Sequence, residues 1–239
     1  MRNEIYENKE NPQFTQATMA KTFMSNVFSY MTVALAISGI AAYMFGTSDS
    51  LISMLYTETG MSIFGWIVML SPLGLVLLLG AKAQKFSYTT VLGIFVLFAV
   101  LIGMSLSSIF LIYSMGSIAT TFMVTAGTFG VMAVLGYTTS TDLTKFGSIL
   151  KMALIGLIIA MVVNWFMQSA MMDYVISGIG VLVFTGLTAY DTQKLKQIGS
   201  VLDANSEEGK KASIMGALSL YLDFINLFLF LLRFLGNRD

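Results

Sequence analysis

Histidine and cysteine are both absent from this chain of 239 residues. Their absence excludes zinc sites with His or Cys ligands, haem held by histidine, Ser-His-Asp triads and redox thiols. Without cysteine there are no disulfides, so cysteine usage says nothing about the redox compartment. Any chemistry must therefore depend on carboxyl, hydroxyl, amide and basic side chains.

Charge is scarce as well. Only 11% of the residues are charged, whereas roughly a quarter are charged in soluble domains, and 56% are hydrophobic. The 13 basic and 13 acidic residues cancel, so the chain carries no bulk charge that would attract nucleic acid. This composition predicts a polytopic membrane protein whose surroundings are the lipid bilayer.

Seven apolar segments are long enough to cross a bilayer as helices, which takes about 20 residues each. We therefore predict an all-α membrane protein, a bundle of seven transmembrane helices. Residues 1–22 are expected to form a cytosolic N-terminal tail and residues 23–239 the transmembrane domain. The predicted spans are approximately 25–45, 61–80, 88–113, 118–137, 148–168, 172–191 and 212–235.

The basic residues predict the orientation of the bundle. Eleven of the 13 lysines and arginines fall on the side that holds the N-terminus, and Arg233 and Arg238 fall on the other side. Cytosolic segments of membrane proteins are enriched in Lys and Arg. The N-terminus is therefore expected in the cytosol and the C-terminus outside.

Asp223 lies near the middle of the last span, where a charged side chain costs roughly 2.5 to 3.5 kcal/mol on insertion scales. Polar and small residues precede and follow it at steps of three and four, which places them on one helix face. Such a face packs poorly against lipid, so we expect the last helix inside the bundle. The face comprises Gly216, Ser219, Asp223, Asn226, Phe230 and Arg233.

Asp191 forms a second intramembrane carboxyl, at the end of the sixth span. That helix can extend to about Ile198, and a short loop then makes it antiparallel to the last helix. The two carboxyl groups can therefore meet. Close carboxyls in a low dielectric tend to share one proton, which suits a pH switch, a proton relay or a site for a hard cation.

Two carboxylates alone would form only a weak calcium site, because calcium prefers 6 to 8 oxygen ligands. Asn226, Ser219 and Thr188 lie on the polar faces of the same two helices and are the candidate supporting ligands. No resident cofactor is expected.

Other interpretations of the two carboxyls stay open. Asp191 can pair with Lys194 at a helix end, and Asp223 can be a buried structural acid, protonated or bonded to a Ser, Thr or Tyr. The chain can also be a non-conducting regulator of other membrane proteins. Intramembrane aspartyl proteases use two aspartates, and Tyr190-Asp191 matches one of their motifs, but the residues before Asp223 do not read Gly-x-Gly.

Three long motifs in this chain resemble the Bax inhibitor-1 family, also called the transmembrane Bax inhibitor motif family. They are TAGTFGVMAVLGYTTSTDLTKFG at 125–147, VFTGLTAYDTQKLK at 183–196 and LSLYLDFINLFLFLLRFLG at 218–236. The resemblance covers nearly everything from the first span to Gly236.

The resemblance implies a bundle in which six helices surround a central last helix, and a pH-sensitive calcium leak in a bacterial inner membrane rather than an enzyme. It assigns pH sensing and gating to an aspartate pair on the sixth and seventh helices, which in this chain are Asp191 and Asp223. Some relatives have an arginine in the second helix that contacts this pair, and this chain has none there. Some bacterial relatives bind a membrane-anchored ATP-dependent protease, which is a possible partner.

Overall fold

A computed structural model describes residues 12–58 and 60–237 of the chain. Within them the chain is almost entirely helical, and one two-stranded hairpin joins two helices. The helices are α1 Pro12–Gly46, α2 Asp49–Leu55, α3 Ile63–Lys82, α4 Tyr88–Leu106, α5 Ile109–Ile112, α6 Met115–Thr138, α7 Thr144–Met167, α8 Ala170–Gly199 and α9 Glu207–Leu235, with a short 3-10 turn at Ala83–Lys85.

Seven helical segments in this part of the chain are long and apolar enough to cross a membrane: α1, α3, α4 with α5, α6, α7, α8 and α9. The prediction of an all-α bundle with seven spans is confirmed. The helices are longer than their apolar segments. The first helix is described from Pro12, so residues 12–22, which were expected to belong to the tail, form its N-terminal part. Residues 1–11 of the expected tail lie outside the described residues. The sixth span continues to Gly199, as expected.

The connection after the first span was not predicted from the sequence. It forms the short helix α2 and an antiparallel hairpin of β1 (Tyr56–Thr57) and β2 (Gly60–Met61). Gly60 adopts a φ of 128°, a conformation that residues with a Cβ rarely reach. The third span is also interrupted, because α4 ends at Leu106 and α5 starts only at Ile109.

Serine side chains start many of the helices. The first backbone N–H groups of a helix have no partner within it, and an N-cap hydroxyl can accept a hydrogen bond from one of them. Five serines each accept such a bond from the N–H three residues later, at distances between 2.9 and 3.3 Å. They are Ser62, Ser87, Ser114, Ser169 and Ser206.

Helix α9 occupies the centre of the bundle. Buried residues make up 72% of its apolar window, against 17% to 39% in the other spans. It packs against α1, α4, α6 and α8, while α3 packs mainly on α4 and α7 mainly on α8. The prediction of a central last helix is confirmed, with four helices as its principal neighbours and two further out.

Side-chain contacts define the two ends of the bundle. At one end, which we call the basic end, Lys196 Nζ donates to Tyr137 O at 2.8 Å and Lys211 Nζ donates to Phe86 O at 3.2 Å. At the opposite end, Arg233 pairs with Asp173. Lysines gather at the basic end, which is the end that the predicted orientation assigns to the cytosol.

Candidate functional site

Close approach of α8 and α9 brings the two aspartates together. Gly180 on α8 faces the Phe230 ring of α9, where a Cβ would lie 2.6 Å from ring atoms. Toward the basic end, Gly216 of α9 leaves similar room for the Leu195 side chain, because a Cβ at Gly216 would lie 2.6 Å from that side chain. Small residues allow helix backbones to come close in a membrane, where packing drives association.

The carboxyl groups of Asp191 and Asp223 lie within hydrogen-bonding range of each other. Asp191 is half-buried, and its Oδ2 accepts a hydrogen bond of 3.1 Å from Ser219 Oγ. Asp223 is 6% exposed, and its Oδ2 has no hydrogen-bond donor among the described residues. Because two ionised carboxylates repel at this distance, the geometry favours a proton or a cation between them.

The pair lines a cavity of about 620 Å³, which we call the central cavity. Its walls come from α3, α4, α7, α8 and α9 and are mostly apolar. Two wall residues, Leu73 of α3 and Ile158 of α7, are nevertheless 62% and 48% exposed. The central cavity therefore opens sideways between α3 and α7, on the surface that faces lipid.

Two further cavities lie between the pair and the basic end. One of about 210 Å³ between α8 and α9 also borders Asp191 and Ser219. It shares Ala212 and Met215 with a cavity of about 550 Å³ at the ends of α3 and α9. The three cavities thus lie next to one another between the basic end and the aspartates, and each shares lining residues with the next.

Aromatic side chains border the central cavity toward the opposite end. Phe184 and Phe230 both line the cavity and stack with ring centroids 5.8 Å apart. Arg233 lies 5.8 Å from the Phe230 ring, and its Nη1 is 3.2 Å from Asp173 Oδ1. Sequence reasoning assigned Arg233 to the polar face of α9 but missed this ion pair, because Asp173 lies 60 residues earlier in the chain, in the first turn of α8.

Lys194 and Lys151 lie near Asp191, but in the described part of the chain neither forms an ion pair with it. Lys194 is exposed and borders the smaller cavity, so the structure does not support the alternative of an Asp191–Lys194 pair. Lys151 of α7 lines the central cavity, and its Nζ lies 3.3 Å from Tyr190 Oη and 4.8 Å from the centre of that ring. Sequence reasoning missed Lys151 as a member of this site.

The candidate supporting ligands differ in their placement. Ser219 bonds directly to Asp191. Asn226 lines the central cavity, and one N–H of its Nδ2 donates to Leu222 O at 2.8 Å, which leaves its side-chain oxygen available as an acceptor. Thr188 is fully buried and donates to Phe184 O at 2.8 Å within its own helix, which takes it away from the pair.

A protein-family model, described as inhibitor of apoptosis-promoting Bax1, matches residues 20–239. The chain belongs to the Bax inhibitor-1 family. Membership confirms the resemblance seen in the three motifs, and the match includes both aspartates and every cavity wall described above.

Several bacterial proteins are similar to this chain over most of their length. Inner membrane protein YbhL of Escherichia coli K12 is 46% identical over 219 residues, which cover 91% of this chain and 92% of that protein. A protein of Borreliella burgdorferi is 44% identical over 216 residues, covering 90% and 92%. Protein RP147 of Rickettsia prowazekii is 45% identical over 218 residues, covering 91% and 90%.

Proposed function

We propose that this protein is a pH-sensitive calcium leak channel, gated by a proton that Asp191 and Asp223 share. The observation that carries the proposal is the contact of the two carboxyl groups inside the bundle, at the meeting point of two cavities. A membrane protein retains two intramembrane acids at considerable cost, and such residues commonly mark ion or proton pathways.

The series of cavities supports a route for a cation from the basic end. An ion that reached the pair would meet the carboxylates, the Ser219 hydroxyl and the side-chain oxygen of Asn226. Hard cations such as calcium prefer oxygen ligands of this kind. Among the described residues no group of three or more acidic side chains occurs, so the site suits a transiting ion better than a tightly bound one.

The gating step follows from the charge of the pair. At low pH the two carboxyls hold a proton between them, which keeps α8 and α9 in contact. When the pH rises and the proton leaves, two adjacent negative charges repel each other and attract a divalent cation. Passage to the opposite end then requires separation of Phe184 from Phe230, which stack beyond the pair.

The expected location is a bacterial inner membrane, in keeping with the name of the YbhL relative. The positive-inside rule then places the basic end and the N-terminus in the cytosol and the C-terminus outside. In this orientation the cavity at the ends of α3 and α9 lies on the cytosolic side, and Arg233 and Asp173 lie at the outer face.

Calcium flux into proteoliposomes, measured between acidic and mildly alkaline pH, tests the proposal. We expect flux to rise with pH in the wild type and to lose that dependence in Asp191→Asn and Asp223→Asn. The matched control is Asp203→Asn in the loop before α9, outside the cavities. Flux and pH response equal to wild type in both folded variants would refute the mechanism.

Paired intramembrane aspartates also occur in aspartyl proteases, and the contact of Asp191 with Asp223 favours this activity as the second candidate. Aspartyl dyads share a proton in the same way. The residues before Asp223 are Leu220, Tyr221 and Leu222, which differ from the Gly-x-Gly expected there. Cleavage of a reporter transmembrane peptide by the wild type, but not by Asp191→Asn, would support the protease.

A further inference from the structure

The central cavity has two features that a cation pathway does not require. It opens sideways between α3 and α7, and its walls are largely apolar. Leu73 is the eleventh residue of the 20 in α3, and Ile158 is the fifteenth of 24 in α7, so the opening lies near mid-membrane. Acyl chains, rather than water or lipid headgroups, occupy that depth.

The charged groups of the cavity carry a net negative charge once the shared proton has left the two acids. Asp191, Asp223 and Lys151 are its charged lining residues, so two carboxylates and one ammonium leave a charge of −1 when both acids are ionised. The Lys151 ammonium already lies against Tyr190 and is not within ion-pair distance of either acid in the described chain. One monovalent cation would therefore balance the site.

Hydrogen-bond acceptors are available at the same place. Asp223 Oδ2 is buried without a donor among the residues that the structure describes. Asn226 also lines the cavity, and its side-chain oxygen is available as an acceptor because the bond to Leu222 O uses the amide nitrogen. Asp191 supplies a further carboxylate. A buried charged acceptor without a donor is destabilising, so a ligand that donates several hydrogen bonds would gain from binding at this place.

We propose that the central cavity binds a primary alkyl amine in its ammonium form, with the alkyl chain against the apolar walls. A primary ammonium has three N–H donors and a single charge, which match the acceptors and the net charge described above. A cavity of about 620 Å³ lies within the range of roughly 300 to 1,000 Å³ typical of small-molecule sites. The amine enters from the bilayer in its neutral form through the opening between α3 and α7, and it takes up the proton that Asp191 and Asp223 share, which leaves both acids ionised. The amine would occupy the same carboxyls that the proposed calcium pathway uses, but its binding does not require that the protein conducts calcium.

Equilibrium binding of radiolabelled dodecylamine to the full chain in lipid nanodiscs tests this site, with empty nanodiscs of the same lipid as the blank. We expect saturable binding above the blank, and none for dodecanol, which has the same chain without the charge. Absence of saturable dodecylamine binding would refute the site. Saturable dodecanol binding of similar affinity would also refute it, since the cavity would then select only an apolar chain.

Steric variants locate the binding site. Leu154→Trp on α7 places a large ring in the cavity wall and should abolish saturable binding. Ile155→Trp is the matched control, because Ile155 is 60% exposed and is not part of the wall. Loss of binding in both variants or in neither would contradict the assignment.

Charge variants identify the recognition groups. Asp223→Asn should weaken binding at least tenfold, and Asp191→Asn is the second variant should the first fail to fold. Lys151→Met removes the competing positive charge and should tighten binding several-fold. Unchanged affinity in a folded aspartate variant, or weaker binding in Lys151→Met, would overturn the account based on charge.

Discussion

Ser219 donates a hydrogen bond of 3.1 Å to Asp191, and it lies one helical turn before Asp223 on α9. A single turn of α9 therefore presents both a hydroxyl and a carboxyl to the same carboxyl of α8. Because the hydroxyl reaches one oxygen of Asp191, it orients that group toward Asp223. The pair is thus held by a three-residue arrangement rather than by two acids alone.

Replacing Ser219 with alanine should move the pH dependence of calcium flux without abolishing it. The hydroxyl stabilises the ionised form of Asp191, so its loss favours the protonated pair. The pH of half-maximal flux should rise by about 0.5 to 1 unit, equivalent to a hydrogen bond of about 1 kcal/mol. Ser200→Ala, beyond the end of α8, is the control. A shift toward lower pH would contradict this role of Ser219.

Tyr221 should contribute to stability through its hydroxyl. Ser38 Oγ of α1 donates to Ala99 O of α4 at 2.7 Å, which leaves the Tyr221 hydroxyl, 2.6 Å away and fully buried, to donate to Ser38. Tyr221→Phe removes one partner of this buried chain and should cost about 1 to 3 kcal/mol of unfolding free energy. Tyr174→Phe, on an exposed ring, should cost much less. Unfolding in mixed detergent micelles measures both, and equal losses would contradict the prediction.

Gly136 of α6 should be intolerant of a side chain. A Cβ there would overlap the backbone carbonyl of Ala189 on α8, whereas Gly130 on the same helix has open space around it. Gly136→Ala should destabilise the bundle by about 1 to 3 kcal/mol because backbone must move. Gly130→Ala should be neutral or stabilising by up to about 1 kcal/mol. Thermal melting of the two variants in one detergent gives the comparison.

The Arg233–Asp173 ion pair should contribute little to stability. Its side chains are 36% and 33% exposed, and exposed pairs typically contribute about 0.2 to 1 kcal/mol. A double-mutant cycle with Arg233→Gln and Asp173→Asn measures the coupling directly. A coupling energy above about 2 kcal/mol would show that the pair is more strongly desolvated than its exposure indicates.

Asp142, in the loop between α6 and α7, should titrate at lower pH than an ordinary aspartate. Hydrogen bonds from the side chain and backbone N–H of Thr144 lower the pKa of Asp142, and the charge of Lys145 adds to the effect. A lowered pKa means that these bonds favour the folded loop at neutral pH and that this contribution is lost as the pH falls through the folded-state pKa. Carboxyl NMR should show the Asp142 titration moving upward in Thr144→Ala.

The seven spans could be predicted from the sequence because each needs about 20 apolar residues, a local property of the chain. Asp191 and Asp223 could be recognised for a similar reason, because placing an acidic side chain in the bilayer costs free energy whichever residues it later contacts. Helix periodicity placed Ser219 and Asn226 beside Asp223. The calcium cargo, a protease partner and the absence of a resident cofactor stay predictions.

Tertiary structure alone decided which groups meet. Apolar residues cover both the lipid-facing and the buried faces of these helices, so hydropathy cannot tell one face from the other. Thr188 has the spacing of a ligand but bonds within its own helix, while Lys151 reaches the site from α7 and Asp173 pairs with Arg233 beyond it. The opening between α3 and α7 likewise exists only because the two helices pack on different neighbours, a result of fitting all the helices together at once.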